Sequence, residues 1–109
     1  MKQIQMAEYG SANVLKVVDS NLPEPKVGEL LLKLKAIGVN YSDILRRKNT
    51  YFMPTPLPYV LGAEAVGEVV ELGDGLTEST FQVGTKVLAI LPYGGGYSEY
   101  LTANPQYSE

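Results

Sequence analysis

The sequence predicts a mainly β domain, a partly open β-barrel with one or two short helices. Three observations predict it. Short runs of alternating apolar and polar residues recur along the chain, the period-two pattern of half-buried strands. Eleven Gly and seven Pro interrupt those runs and mark frequent turns. No internal repeat or low-complexity tract competes with the pattern. With 109 residues the chain makes one domain of ordinary size, long enough to bury a core.

The elements follow in order. Lys2 to Glu8 alternates, with Ile4 and Met6 on one face and Gln3 and Gln5 on the other, and reads as a strand. Tyr9 to Asn13 is a turn, and Val14 to Val18 is the returning strand. Pro23 and Pro25 make Asn21 to Gly28 an extended linker, because Pro disfavours helix for itself and its predecessor. Glu29 to Val39 is the longest strand, with Leu30, Leu32, Leu34 and Ala36 on one face and Lys33 and Lys35 on the other. A Leu-rich helix is the alternative there, and the strict alternation argues against it.

Asn40 to Arg47 reads as a short helix. Asn40 can cap it, Asp43 suits the positive end of its dipole, and Arg46 and Arg47 suit the other end. Lys48 to Tyr59 is a loop holding Pro54, Pro56 and Pro58 beside Tyr51, Phe52 and Tyr59. Glu64 to Leu72 is a strand in which Gly67 signals a bulge or a close approach. After the turn Gly73-Asp74-Gly75, Phe81 to Thr85 leads into a strand from Lys86 to Leu91. Gly94-Gly95-Gly96 is a flexible turn before a last strand, Tyr97 to Thr102.

Composition excludes several functions. A net charge of −3 and a single dense basic cluster, Arg46-Arg47-Lys48, argue against nucleic acid, whose phosphates need clustered Lys and Arg. With no Cys and no His, no disulfide framework, Ser-His pair or Cys-His pair can form, and a zinc site of the usual donors is not available. The first residues carry no apolar run of signal-peptide length, and no segment nears the roughly 20 apolar residues of a membrane span. A cytoplasmic protein is expected. Gly73-x-Gly75 is not a dinucleotide fingerprint: Glu78 stands where the third Gly belongs, Glu71 and Asp74 would repel phosphate, and the turn joins two strands. Gly94-Gly95-Gly96 lacks the Lys-Ser/Thr of a P-loop.

Five segments, in order, carry a resemblance. They are Tyr9-Gly10 with Val14-Leu15; Pro23-x-Pro25-x-x-Gly28-Glu29-Leu30-Leu31-Leu32-Lys33; Gly38-Val39-Asn40-x-x-Asp43 with Arg47 and Tyr51; Leu57-Pro58 with Gly62-x-Glu64-x-x-Gly67-x-Val69; and Val83-Gly84-Thr85-Lys86-Val87 with Gly95-Gly96-Tyr97-Ser98-Glu99-Tyr100. Together they resemble the N-terminal catalytic domain of medium-chain dehydrogenases/reductases, closest to the zinc-independent NADPH:quinone oxidoreductases, the zeta-crystallin-like branch. The resemblance implies a GroES-like barrel over residues 1–109. It also implies that a dinucleotide-binding domain and a C-terminal return segment lie outside this chain, which alone would then be inactive. The segment from Ala103 onwards is expected to approach that further domain.

The departures point the same way. In the zinc-dependent alcohol dehydrogenases of this superfamily a Cys ligand stands at the Asn40 position and a His ligand at the Ala63 position; Glu64 remains. The lobe for a second zinc is missing, and Tyr93 to Tyr97 closes that region. Asn49 replaces a common Gly, and Asn tolerates the left-handed backbone such a turn needs.

Hydride transfer to a quinone or an enone places negative charge on a carbonyl oxygen, which hydrogen-bond donors can stabilise in place of a metal. The resemblance assigns this to Asn40 and Tyr51 as catalytic donors. It assigns Asn40, Tyr41 and Ser42 to the nicotinamide of NADPH, and Tyr51 and Asp43 to the substrate pocket. From the residues alone, Asn40 reads first as a helix cap, Tyr51 equally as a loop aromatic packed on Pro54 or Pro56, and Asp43 as a structural acid at the helix N-terminus or paired with Arg47. Glu64 is expected inside the site, bonded to backbone or a cation. The complete protein is expected to form a homo-oligomer, with no nucleic-acid or membrane partner. The alternatives are a free-standing GroES-like binding module and a fragment of a related medium-chain alcohol dehydrogenase.

Overall fold

Two antiparallel sheets carry the chain in a computed structural model that describes residues 1–76 and 81–104. Glu78 and the tail beyond Asn104 lie outside the described residues. A hairpin of β1 (Lys2–Met6) and β2 (Leu15–Asp19) is joined by a 3-10 turn at Ala12–Val14. The larger sheet runs in the order β5 (Lys86–Ile90), β4 (Glu64–Leu72), β3 (Leu30–Ile37) and β6 (Tyr100–Ala103). One α-helix, α1 (Tyr41–Arg47), follows β3. The domain is mainly β, a GroES-like partial barrel as the sequence predicts.

The hairpin is tied to the sheet through backbone. Ile4 N–H donates to Tyr97 O and Glu99 N–H to Lys2 O, while Leu34 N–H donates to Glu99 O, so the segment before β6 lies between β1 and β3. Met6 and Tyr59 exchange both backbone hydrogen bonds at 2.9 Å, which closes the other side of β1.

The core forms in two parts. Leu30, Leu32, Val69, Val87, Ala89, Leu101 and Ala103 fill the sheet's inner face. Met6, Val14, Tyr59, Leu61 and Tyr97 pack beneath the hairpin. Full burial of a large aliphatic side chain contributes about 1.5–3 kcal/mol, so Leu30, Leu32 and Val69, each without exposure, are main stabilisers.

The alternation expected through β3 holds only in part. Leu31 is buried along with Leu30 and Leu32, and Ala36 is exposed beyond a register shift that leaves Lys35 of β3 unpaired; a second shift, between Leu31 and Leu32, leaves Val70 of β4 unpaired. A bulge inserts an unpaired residue and changes which face the following side chains occupy. The strand β4 runs unbroken through Gly67. A Cβ there would sit 2.9 Å from Leu32 Cβ, so the close approach is the reason for Gly.

Gly62 is needed on two counts. Its φ of +109° is a region side-chain-bearing residues avoid, and a Cβ would lie 2.6 Å from Gly96 Cα. Residues 60–62 and 95–97 run backbone against backbone, with Gly96 N–H donating to Gly62 O and Tyr97 N–H to Leu61 O. The substitution Gly62→Ala should cost at least about 2 kcal/mol, read as a drop in urea midpoint. An unchanged midpoint would show that the two segments can separate freely.

Candidate active site

The helix α1 has seven residues, too few to be stable alone, so its ends must be held from outside. Its N-cap is Asn40, in extended backbone, and Asn40 and Asp43 form a capping box. Asp43 is 3% exposed and does more than cap. Its Oδ2 accepts from the Asn40 N–H and from the Tyr97 hydroxyl, each at 3.0 Å, and its Oδ1 accepts from the Gly62 N–H at 3.2 Å. One carboxylate therefore draws Asn40 towards the backbone next to Ala63, the two positions where zinc-dependent relatives are expected to carry ligands. Asp43, expected in the substrate pocket, is buried with both oxygens occupied.

The expected pairing of Asp43 with Arg47 does not form. Arg47 Nε donates to Gly10 O at 3.0 Å, and Gly10 N–H donates to Arg47 O at 2.9 Å, clasping the opening hairpin to the end of α1. Asn49 adopts φ 58°, the left-handed turn its side chain tolerates.

Tyr51 stands just beyond α1, half-buried. Its ring lies under the Arg46 guanidinium, 4.5 Å from Cζ to the ring centroid, and 4.5 Å from the Phe52 ring. The seven residues of α1 span about 10 Å, so Asn40 and Tyr51 hang from opposite ends of one short rod. Tyr41 is 71% exposed and Phe52 83% exposed, with Val39 also open, which gives the site an apolar rim. Ser42 is half-buried.

Glu64 was expected inside the site and is exposed. Its side chain lies against Gly38, where a Cβ would meet Glu64 Oε1 at 2.3 Å. Gly38 and Glu64 share a concavity of about 230 Å³ with Ala36, Ala65, Val66 and Leu88. A larger one, about 520 Å³, lies at the other end of β4 between Leu22–Pro25 and Glu71–Asp74. Its acidic lining and its distance along the strand set it apart from the candidate site.

Sequence reasoning missed Tyr97 and Arg46. In the sequence Tyr97 opens a strand and falls in a family motif, with nothing local that points to Asp43. Its hydroxyl is buried against Asp43, and its pKa is pushed up to about 12, first by burial, then by the Asp43 charge and hydrogen bond. Below pH 10 the phenol is protonated in both folded and unfolded chains, so this contribution to stability is fully present. As pH rises from 10.0 towards 12, the unfolded chain loses the proton while the folded chain keeps it, and stability falls. Urea midpoints should therefore decline in that window, and Tyr97→Phe should decline less steeply. Parallel curves for the two proteins would remove Tyr97 from the alkaline transition.

Known proteins share this architecture. Residues 26–108 match the family model of the alcohol dehydrogenase GroES-like domain. A probable quinone oxidoreductase of Schizosaccharomyces pombe is 36% identical over 97 residues, covering 89% of this chain and 28% of that protein. The Escherichia coli quinone oxidoreductase, solved in complex with NADPH, superposes with a TM-score of 0.89 at 28% identity, covering 100% of this chain and 32% of that one. The human synaptic vesicle membrane protein VAT-1 homolog-like protein superposes with a TM-score of 0.91 at 29% identity, covering 100% and 34%. The chain thus spans about a third of the length of these relatives. It belongs to the alcohol dehydrogenase GroES-like domain family, within the quinone oxidoreductase branch of the medium-chain dehydrogenases/reductases.

Proposed function

We propose that this chain is the substrate-side domain of a zinc-independent, NADPH-dependent oxidoreductase that reduces quinones or α,β-unsaturated carbonyls. The observation that carries the reading is Asp43, whose carboxylate holds the Asn40 backbone beside the Gly62–Ala63 backbone without a metal ligand of the Cys or His type. Similarity to the quinone oxidoreductases, one of them solved with NADPH, supports it.

The residues present suit a nicotinamide: Asn40 and Ser42 are partly exposed and Tyr41 is open, so Asn40, Tyr41 and Ser42 can hold that end of NADPH. Bound there, NADPH supplies the hydride. The chain supplies donors. The Asn40 amide and the Tyr51 hydroxyl are the donors this reading assigns to the oxygen on which negative charge develops, and donors fixed in advance stabilise that charge without reorganising. The exposed rings of Tyr41 and Phe52 offer flat apolar surface to a planar substrate and exclude water from the reacting carbon. The complete protein is expected to be a cytoplasmic homo-oligomer, with phosphate binding outside this chain. A free-standing co-chaperonin-like module fits less well, because such a module needs a mobile loop. Here residues 53–55 are tied to Arg46, and the Tyr9 hydroxyl donates to Thr55 O at 2.6 Å.

The test is reduction of quinones and enones by the complete protein that contains this chain, with NADPH and NADH compared and a chelator added. Turnover that survives the chelator is expected. Loss of activity on chelation, with a stoichiometric metal recovered, would overturn the reading. Fast turnover by these 109 residues alone would overturn the division of labour.

A further inference from the structure

Arg46 is 6% exposed, which is rare for a residue whose charge favours water. Both terminal nitrogens of its guanidinium are engaged. Nη1 donates to Pro54 O at 3.1 Å and to Thr55 Oγ1 at 3.2 Å, and Nη2 donates to Pro92 O at 3.1 Å and approaches Met53 Sδ at 3.9 Å. The flat face lies over Tyr51 at 4.5 Å and is 5.2 Å from the Tyr59 centroid. No carboxylate of the described residues pairs with it. Instead, carbonyl oxygens and ring faces surround the charge. Three separate stretches of chain, 51–55, Tyr59 and Pro92, converge on this one side chain.

The consequence falls on Tyr51. One face of its ring is fixed by the guanidinium, Phe52 packs against the ring at an interplanar angle of 49°, and the backbone beyond is held at Pro54 and Thr55. The Tyr51 hydroxyl makes no hydrogen bond among the described residues, so the ring is held while its donor is left open. We propose that Arg46 is the positioning residue that aims the Tyr51 phenol at the substrate oxygen, a role that rests on the reading of Tyr51 as a donor. Lys cannot replace it, because an ammonium has neither the planar fork for three oxygens nor a flat face to stack on a ring.

The experiment is a double-mutant cycle in the complete protein, with quinone reduction as the readout. Arg46→Lys should lower kcat/KM by about a hundredfold, mostly through kcat, the scale of loss when a reacting group is displaced by about 1 Å. Placed on Tyr51→Phe, the same change should add little, since the hydroxyl it aims is already gone. A loss of equal size in both backgrounds would make Arg46 a general scaffold residue and overturn the proposal. Wild-type rates for Tyr51→Phe alone would instead remove the donor reading, and the proposal with it. If Arg46→Lys does not fold, Thr55→Val enters the same cycle. It removes one acceptor and should cost roughly fivefold, again only when the Tyr51 hydroxyl is present.

Discussion

Replacing Asp43 with Ala should cost about 3 kcal/mol of stability, the largest structural loss expected from a single polar side chain in this domain. Three donors lose their acceptor at once: the Asn40 N–H, the Gly62 N–H and the Tyr97 O–H. Each buried donor left unpaired costs about 1–3 kcal/mol, and water entering the space vacated by the carboxylate offsets part of the sum. The loss spreads, because the three donors belong to the start of α1, to the turn before β4 and to the segment preceding β6. Asp43→Asn separates shape from charge. It keeps one acceptor oxygen but turns an NH2 towards a donor, so it should fall between Ala and wild type. Urea unfolding of all three proteins measures this; a loss below about 1 kcal/mol for Ala would show that Asp43 only caps a helix.

Much of the fold was legible because strands announce themselves locally. The alternation in Lys2–Met6 and the short apolar run of Lys86–Ile90 need no partner to be read, and each appears as a strand. Asn40 as N-cap and Asn49 as a left-handed turn were equally local, set by what an amide side chain does to its own backbone. What could not be read depends on distant partners. The shifts in β3 arise from its pairing with β4, which no window along β3 contains. Tyr97 lies 54 residues from Asp43, and Pro92 lies 46 from Arg46. Arg46 looked like a charge placed for the helix dipole, as Arg47 did, and Arg47 found the Gly10 carbonyl instead of Asp43. A partial signal was available: Asp43 and Arg46 stand three apart, on one face of the helix. A short helix held by two buried charges has to find partners elsewhere in the chain.

Asn40 decides whether the site is chemical or only structural, and variants that cap equally well can separate the two. Asn, Asp and Ser are similar N-caps, so Asn40→Asp and Asn40→Ser should leave the melting temperature nearly unchanged, while Asn40→Ala should lose about 1 kcal/mol. Catalysis should sort them differently. A cap uses the oxygen of the amide and leaves its NH2 to donate outwards, and Asp at neutral pH has no donor to offer. Asn40→Asp also brings a negative charge to the place where the substrate oxygen becomes negative. In the complete protein kcat should therefore fall by about 10²–10³, the cost of removing one donor from such a site. Ser retains a donor on a shorter stem, so Asn40→Ser should lie between Asp and wild type. If Asn40→Asp turned over at the wild-type rate with an unchanged melting temperature, the amide would be a cap and nothing more, and charge stabilisation would have to come from Tyr51 alone.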